Sequence, residues 1–385
     1  MIPQRVRVGR FAAAGLTVLA PVSTMAQPAP VSTTTTSTVA PRWRFQVSAD
    51  GAWYENARFA ESSEAGAWST GGHASLALEQ AFRRGSFSMS GYGGSIYYPE
   101  IAGFNQATYG GKLGLSWAPS TRTQVRIGQG YDRSNTRQLR SLDLEGLPLL
   151  TSGVDNATSN VSLIQGLSRR WQLGLDGTFT WRRFDNQALT GGEQLVGSIQ
   201  LARNLGKDSS AYLSYGYSSS RLRDDRTRAH QALLGGRRQQ EHVSWDVSGG
   251  AAYVERVGRF YPAGHAGMSV SGRRTSLSLR YSRGFGQAFG YGRETIADLV
   301  SATASWTPVR PLGFDAGYTF GYRRDPVEAV FRIRSHVATA GFRWEIAKDL
   351  GFGTHYYWER NETGGFAALE GSRVTASLSY GVSWR

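Results

Sequence analysis

The sequence contains no cysteine, which excludes a disulfide-stapled secreted module and any Cys-ligated zinc or iron–sulfur centre. It also lacks an apolar run near the roughly 18 to 20 residues that a membrane helix needs. Together with a mean hydropathy of −0.36, this excludes a bundle of membrane helices. Lysine is almost missing: Lys112, Lys207 and Lys348 are the only lysines among 43 basic residues. Amphipathic stretches rich in Lys, Glu and Ala are scarce, so the chain is poor in helix formers. What fills its 385 residues is Gly (48 of them), Ser, Thr, Arg and an aromatic content of 12%, a balance that favours strands. The formal charge of +14 raises the question of a nucleic-acid partner. The arginines, however, are spread through an alternating pattern and not gathered on one helix or patch, so no nucleic acid is expected.

Residues 1–26 carry the parts of a secretory signal. Arg5, Arg7 and Arg10 form a basic start, Phe11 to Val22 a short apolar core, and Thr24-Met25-Ala26 a small-residue cleavage context. The chain is therefore expected to be exported. Residues 27–42, rich in Pro, Thr, Ser and Val with four consecutive threonines at Thr33 to Thr36, cannot bury a core and are expected to be a flexible periplasmic linker.

From Trp43 to the C-terminus one pattern recurs: apolar and polar residues alternate for eight to twelve positions, a turn follows, and the alternation resumes. Trp43, Phe45, Val47, Ala49 and Trp53 share one face of the first such segment, and Arg44, Gln46, Ser48 and Asp50 share the other. The same split separates Tyr109, Leu113, Leu115 and Trp117 from Lys112 and Ser116. In the last segment Val374, Ala376, Leu378, Tyr380, Val382 and Trp384 oppose Arg373, Thr375, Ser377, Ser379 and Ser383. One face suits a greasy environment and the other suits water. Two features assign the greasy side to lipid and not to the interior of a soluble sandwich. Tryptophans sit at segment ends (Trp117, Trp171, Trp181, Trp306, Trp344, Trp358, Trp384), where an amphipathic ring meets a headgroup boundary. The opposite face is Gly, Ser, Thr and charge, a composition for a wet lumen.

Short turns are expected at Arg83-Arg84-Gly85, Ala118-Pro119-Ser120, Ser168-Arg169-Arg170, Asn204 to Ser209, Gly236 to Gln239, Gly272-Arg273-Arg274, Thr307 to Pro311 and Ala347-Lys348-Asp349. Longer loops lie between them, notably Glu55 to Ala67, Asp132 to Ala157, Ser220 to Arg226 and Arg360 to Gly371. Short periplasmic turns alternating with longer outer loops are the habit of outer-membrane barrels. The connections imply an all-β, antiparallel up-and-down transmembrane β-barrel over residues 43–385. About 18 strands are expected, or 16 if the weak strand around Gln231 to Leu234 fails.

The hairpin Tyr109-Gly-Gly-Lys-Leu-Gly-Leu-Ser-Trp-Ala-Pro-Ser-Thr-Arg-Thr123 is similar to those of the β-barrel porin type 2 group, whose members are associated with exopolysaccharide systems. This resemblance implies passage or export of a polysaccharide through the bacterial outer membrane, with a separate periplasmic export partner. The C-terminus resembles the signal read by the barrel-insertion machinery, although Trp384 is followed by Arg385 and the aromatic residue is penultimate. The alternatives are a general small-solute porin and a non-conducting structural or adhesion barrel that binds partners through its outer loops.

If the apolar set faces lipid, the lumen is lined by Arg44, Lys112, Arg122, Arg126, Arg182, Arg280, Arg323, Arg343 and Arg373 among the bases. Asp50, Glu79, Asp176, Asp246, Asp315, Glu345 and Glu359 are the acids. Such a mixed wall can bind anionic or neutral sugars weakly at many points, or can simply stiffen the barrel through cross-strand ion pairs. Arg83, Arg84, Arg169, Arg170, Arg237, Arg238, Arg273 and Arg274 form Arg-Arg pairs expected on the periplasmic rim, where they would steer an anionic polymer or touch lipid headgroups. Outer-membrane lipid and lipopolysaccharide are the expected surroundings. The long loop Asp132 to Ala157, with its apolar stretch Leu142 to Leu150, is a candidate for folding into the barrel, an arrangement that resembles the third loop of general porins. No enzyme is expected. His73 and Ser75 share the inward face in an arrangement resembling an outer-membrane lipid A deacylase, but the match is two residues in a far longer chain. The six His show no metal-ligand spacing, so no metal and no cofactor are expected.

Overall fold

The computed structural model describes residues 40–55, 66–99, 105–136, 152–222, 225–289, 291–327, 331–364 and 368–384. The expected signal and almost all of the expected linker lie outside the described residues. The described chain forms eighteen strands: β1 (Arg42–Tyr54), β2 (Ala67–Phe82), β3 (Gly85–Tyr97), β4 (Gln106–Ser120), β5 (Thr123–Asn135) and β6 (Gly153–Gly166). They are followed by β7 (Trp171–Phe184), β8 (Gly192–Asn204), β9 (Ser209–Leu222), β10 (Asp225–Gln239), β11 (Val243–Val254) and β12 (Arg259–Ser271). The last six are β13 (Thr275–Ala288), β14 (Arg293–Val309), β15 (Leu312–Arg324), β16 (Arg332–Ala347), β17 (Leu350–Thr363) and β18 (Leu369–Trp384). Every strand pairs antiparallel with its sequence neighbours, and β1 closes on β18 with Trp43 opposite Trp384 and Tyr54 opposite Arg373. The sheet thus has no free edge. The segment Gln231 to Leu234 lies within β10, so the larger strand count holds.

A strand tilted across a bilayer needs about 9 to 11 residues. The strands here run from 12 (β11) to 17 residues (β14), and the surplus rises above the membrane on the loop side. Eighteen strands about 4.8 Å apart and tilted by about 40° close on a backbone cylinder roughly 35 Å across, wide enough for a lumen that side chains alone do not fill.

The alternation read from the sequence maps onto the two faces of this cylinder. Phe45, Leu76, Leu113, Ile127, Val161, Leu195, Leu213, Val247, Leu279, Val300 and Leu378 all point outward and are each at least 39% exposed. Apolar surface on that scale is tolerated only against lipid. Every Trp faces out. Trp43, Trp117, Trp171, Trp245, Trp306, Trp344 and Trp384 ring the end that carries the short turns, and Trp53, Trp68, Trp181 and Trp358 ring the other. At the outer ring several aromatic tips are tied to a polar group. Tyr131 Oη donates to Asp155 (2.7 Å), Tyr281 Oη to Asp298 (2.8 Å) and Trp358 Nε1 to Glu370 (2.8 Å), while Tyr215 and Tyr318 pair with His230 and His336. A ring with an apolar body and a tethered polar tip marks the lipid–water boundary. The closed barrel with its apolar band and two aromatic girdles is an outer-membrane β-barrel.

Two turns differ from expectation. The β4–β5 turn falls at residues 121–122, after Ala118-Pro119-Ser120, because Ser120 and Thr123 pair across it past a register shift that begins at Trp117. The β10–β11 turn falls after Gln239, because β10 keeps its pairing through Arg237 and Arg238. Of the loop expected over Ser220 to Arg226, residues 220–222 and 225–226 belong to β9 and β10, which stay paired to Leu222 and Asp225, and residues 223–224 lie outside the described residues.

Candidate functional site

Over the half that carries the short turns the lumen wall is built from small polar side chains, the inward set of each strand. Ser244 and Ser269 share a hydrogen bond of 2.6 Å, and Ser276 and Ser305 one of 2.7 Å. Arg44, Lys112, Arg126, Asp176, Arg280, Asp315 and Arg343 stand among them, on inward positions of β1, β4, β5, β7, β13, β15 and β16. Asp315 comes within 4.0 Å of His355 across Gly341. A Cβ at Gly341 would lie 2.5 Å from the His355 ring and 2.6 Å from the Asp315 carboxylate, so glycine is what permits that approach.

The remaining sequence-derived candidates are placed differently. Arg122 lies in the β4–β5 turn and not on the wall. Arg182 and Arg373 face inward but high in the barrel, where both are enclosed by aromatic residues. The Arg373 guanidinium sits 5.6 Å from the Tyr54 ring centroid and 4.9 Å from that of Tyr357. Arg83 and Arg84, Arg169 and Arg170, and Arg273 and Arg274 occupy short turns at one end of the barrel, and Arg84 donates to the Pro119 carbonyl near the end of β4 (2.7 Å). Arg237 is not on that rim. It points into the lumen from β10, and its Nε donates to Asp246 (2.6 Å), while Arg238 takes the outward position beside it.

Asp246 is the hub of a closed network. Its Oδ1 accepts from Tyr212 Oη (2.6 Å) and meets His265 Nε2 (2.5 Å), and His265 Nδ1 meets Ser248 Oγ (2.8 Å). Ser, His and Asp are adjacent here, but Ser248 is 8% exposed and Asp246 9%, and the carboxylate is already saturated by three donors. The arrangement braces β9 to β12 and presents no open nucleophile. His73 likewise lies 3.4 Å from Asp50.

The outer mouth is shaped by the β13–β14 hairpin, which the alternation did not single out. Along β14 the residues Thr295, Ile296 and Ala297 are all buried (0, 2 and 8% exposed). Consecutive strand residues point to opposite faces, so both faces are covered here; the ladder from β12 runs to Arg283 and that to β15 to Ile296, and beyond these rungs the hairpin continues past the wall. Its tip residue Phe289 is 1% exposed and packs with Val154, Phe184, Leu189 and Leu222, which belong to β6, β7, the β7–β8 connection and β9. The Arg182 guanidinium lies 4.7 Å from the Phe289 ring centroid. Glu294 accepts from Ser220 Oγ of β9 (2.5 Å). On the other flank Tyr291 meets Thr363 (3.3 Å) and the edge of Phe331, and Arg293 pairs with Asp325 (3.2 Å) while stacking on Phe331.

The hairpin therefore spans the mouth as a bar braced on β6–β9 at one end and on the β15–β17 side at the other. Gly292 adopts φ +64°, and a Cβ there would lie 2.9 Å from Thr190, so this position needs glycine for both conformation and space. Glu294 stands above the apolar band, and burial raises its carboxyl above the ordinary value, with Ser220 and Thr227 hydrogen bonds opposing. Of the candidate loop Asp132 to Ala157, residues 137–151 lie outside the described residues; its flanks are joined by the Thr136 amide donating to the Ser152 carbonyl (3.0 Å).

The fold and the barred, polar lumen define a class: an eighteen-stranded outer-membrane barrel. No family model matches the chain, and no curated protein matches its sequence. Among solved structures it is similar to OpdQ of Pseudomonas aeruginosa (10% identity, 90% of this chain and 98% of that one, TM-score 0.49). It is also similar to OccAB4 of Acinetobacter baumannii (10% identity, 90% and 99%, TM-score 0.48). A third such structure is the siderophore receptor PirA of P. aeruginosa (9% identity, 87% and 80%, TM-score 0.45).

Proposed function

We propose that this chain is a passive outer-membrane channel for small polar solutes, narrowed at its outer mouth by the β13–β14 hairpin. The observation that carries the reading is the hairpin itself, seated on both sides of the mouth above a serine-lined, mixed-charge lumen. A wall of hydroxyls interspersed with arginine and carboxylate replaces part of a solute's hydration shell without holding it tightly, as a conduit requires. A bar across the mouth favours solutes that pass beside it over a polymer that must thread the full bore. This is why we place small solutes ahead of the polysaccharide suggested by the hairpin resemblance.

The test is conductance of the purified, refolded chain in a planar bilayer, with ion selectivity and block by acidic and neutral polysaccharides recorded together. Stable channels indifferent to polymer are expected. Block by polysaccharide would shift the reading to export of a polymer. A folded barrel without conductance would refute both, leaving a structural or adhesion barrel.

A further inference from the structure

Among the described residues, every other aromatic side chain as exposed as that of Tyr92 (37%) points outward, whereas Tyr92 faces the lumen from β3. A ring with an open side, set in a wall of hydroxyls, offers a solute an apolar surface. On its own rung Tyr92 has Ser75 of β2 on one side and Gly110 of β4 on the other. A Cβ at Gly110 would lie 2.8 Å from both the Tyr92 ring and its hydroxyl. The missing side chain is what lets the ring lie over against β4.

The same device repeats on the neighbouring strands. Asp50 of β1 leans on Gly71 of β2, where a Cβ would lie 2.8 Å from the carboxylate. His73 of β2 leans on Gly94 of β3, and Lys112 of β4 on Gly130 of β5. Each member sits one inward position nearer the short turns than the one before. A carboxylate, an imidazole, a phenol ring and an ammonium group therefore descend the lumen wall as a staircase, with the ring between two polar steps.

The charges around the ring select among solutes. A carboxylated solute laid on Tyr92 would have Lys112 on one side but would also face Asp50 and Asp132, the latter on the Tyr92 rung beyond Gly110. Hydroxyl groups suit both signs, because they donate to carboxylates and accept from an ammonium group. A pyranose combines the two requirements: a face of C–H groups for the aromatic surface and hydroxyls around its edge.

We propose that Tyr92 is the stacking platform of a neutral-sugar subsite in the lumen, with His73 and Lys112 meeting the hydroxyls at the edge of the pyranose. The subsite deepens the channel reading and rests on it in needing a lumen that solute can enter.

The probe is methyl β-glucoside, a neutral pyranose, and its comparator is sorbitol, an open-chain polyol without a ring face. Two measurements on the refolded full chain keep the subsite and the channel apart. One is block of the open current in a planar bilayer. The other is saturation-transfer NMR from the barrel in deuterated detergent to the sugar protons, which needs no conductance. The glucoside is expected to block and to receive saturation at concentrations where sorbitol does neither. In Tyr92→Leu the half-saturating glucoside concentration is expected to rise about fivefold, the order set by one aromatic contact. Tyr92→Phe, which keeps the ring and guards against a folding defect in the Leu variant, should stay near the parent. Tyr109→Leu, on the outward face of β4, should match the parent. A conducting parent that the glucoside neither blocks nor contacts would overturn the subsite and leave the channel. Tyr92-dependent transfer in a barrel without conductance would support the subsite and refute the channel. Equal effects of sorbitol, an unchanged Tyr92→Leu, or tighter binding of benzoate than of the glucoside would each overturn the proposal.

Discussion

Phe289→Ala is expected to release the hairpin from the far wall. Phe289 is 1% exposed, packed against Val154, Phe184, Leu189 and Leu222 and covered by Arg182. Truncating a buried Phe costs about 3 to 5 kcal/mol in a packed site, and loss of the guanidinium contact adds about 1 kcal/mol. The damage falls on the docking of one hairpin, because the wall beneath it is held by its own strand ladders. Taking about 3 kcal/mol as the part lost from the docked state, the ratio of docked to undocked hairpin falls on the order of 100-fold. Single-channel recording reads this directly: the variant should show larger or longer openings than the parent, while its gel mobility and urea midpoint stay close to the parent's. Parent-like currents from a folded variant would refute the placement of the narrowing at this hairpin.

Three further outcomes follow from the same geometry. Gly292→Ala, at a position with φ +64° whose Cβ would lie 2.9 Å from Thr190, should loosen the docked hairpin and give larger or longer openings than the parent in single-channel recording. Burial raises the Glu294 carboxyl in the docked hairpin above its ordinary value of 4.5, so docking takes up a proton. Lowering the pH from above the docked value toward 4.5 should therefore favour the narrowed state, and Glu294→Gln should abolish that pH dependence and stay narrowed; a parent-like pH profile in the variant would rule the mechanism out. Arg280→Glu and Arg343→Glu, both on inward positions of the wall, should each move the reversal potential in a salt gradient toward cation preference, whereas Arg122→Glu, in a turn, should move it less.

Most of the barrel was legible because its information is periodic. A one-residue slip would exchange every lipid-facing and lumen-facing side chain, so the split between Trp43, Phe45, Val47 and Arg44, Gln46, Ser48 fixes register as well as strand character. Turn positions were less secure. Pro119 reads as a turn residue, yet the ladder runs past it to Ser120 with a register shift, and Gly236-Arg237-Arg238 reads as a turn although β10 continues through it. Arg237 points into the lumen because the alternation of β10 continues through it, and there it meets Asp246 of β11. The hairpin was the largest omission. Its signal was present as a loss of alternation over Gln287 to Ile296 around a Gly-spaced aromatic tip, but what holds it in place is contact with β6 to β9, far away in sequence. Local rules describe the wall; the bar depends on residues that meet only after the wall has closed.

That order of events bears on how the two sets of arginine come to act. Parity on each strand assigns Arg237 and Arg280 to the lumen and Arg238 and Arg283 to the outside, so neighbours in sequence are delivered to water and to the membrane boundary by the same ladder. Inward arginines meet acids across the wall, as Arg237 meets Asp246. Outward arginines above the girdle can be neutralised only by side chains of adjacent strands or by lipid. Where the strands supply the acid, as Asp155 and Asp185 do for Arg133, the barrel is self-sufficient.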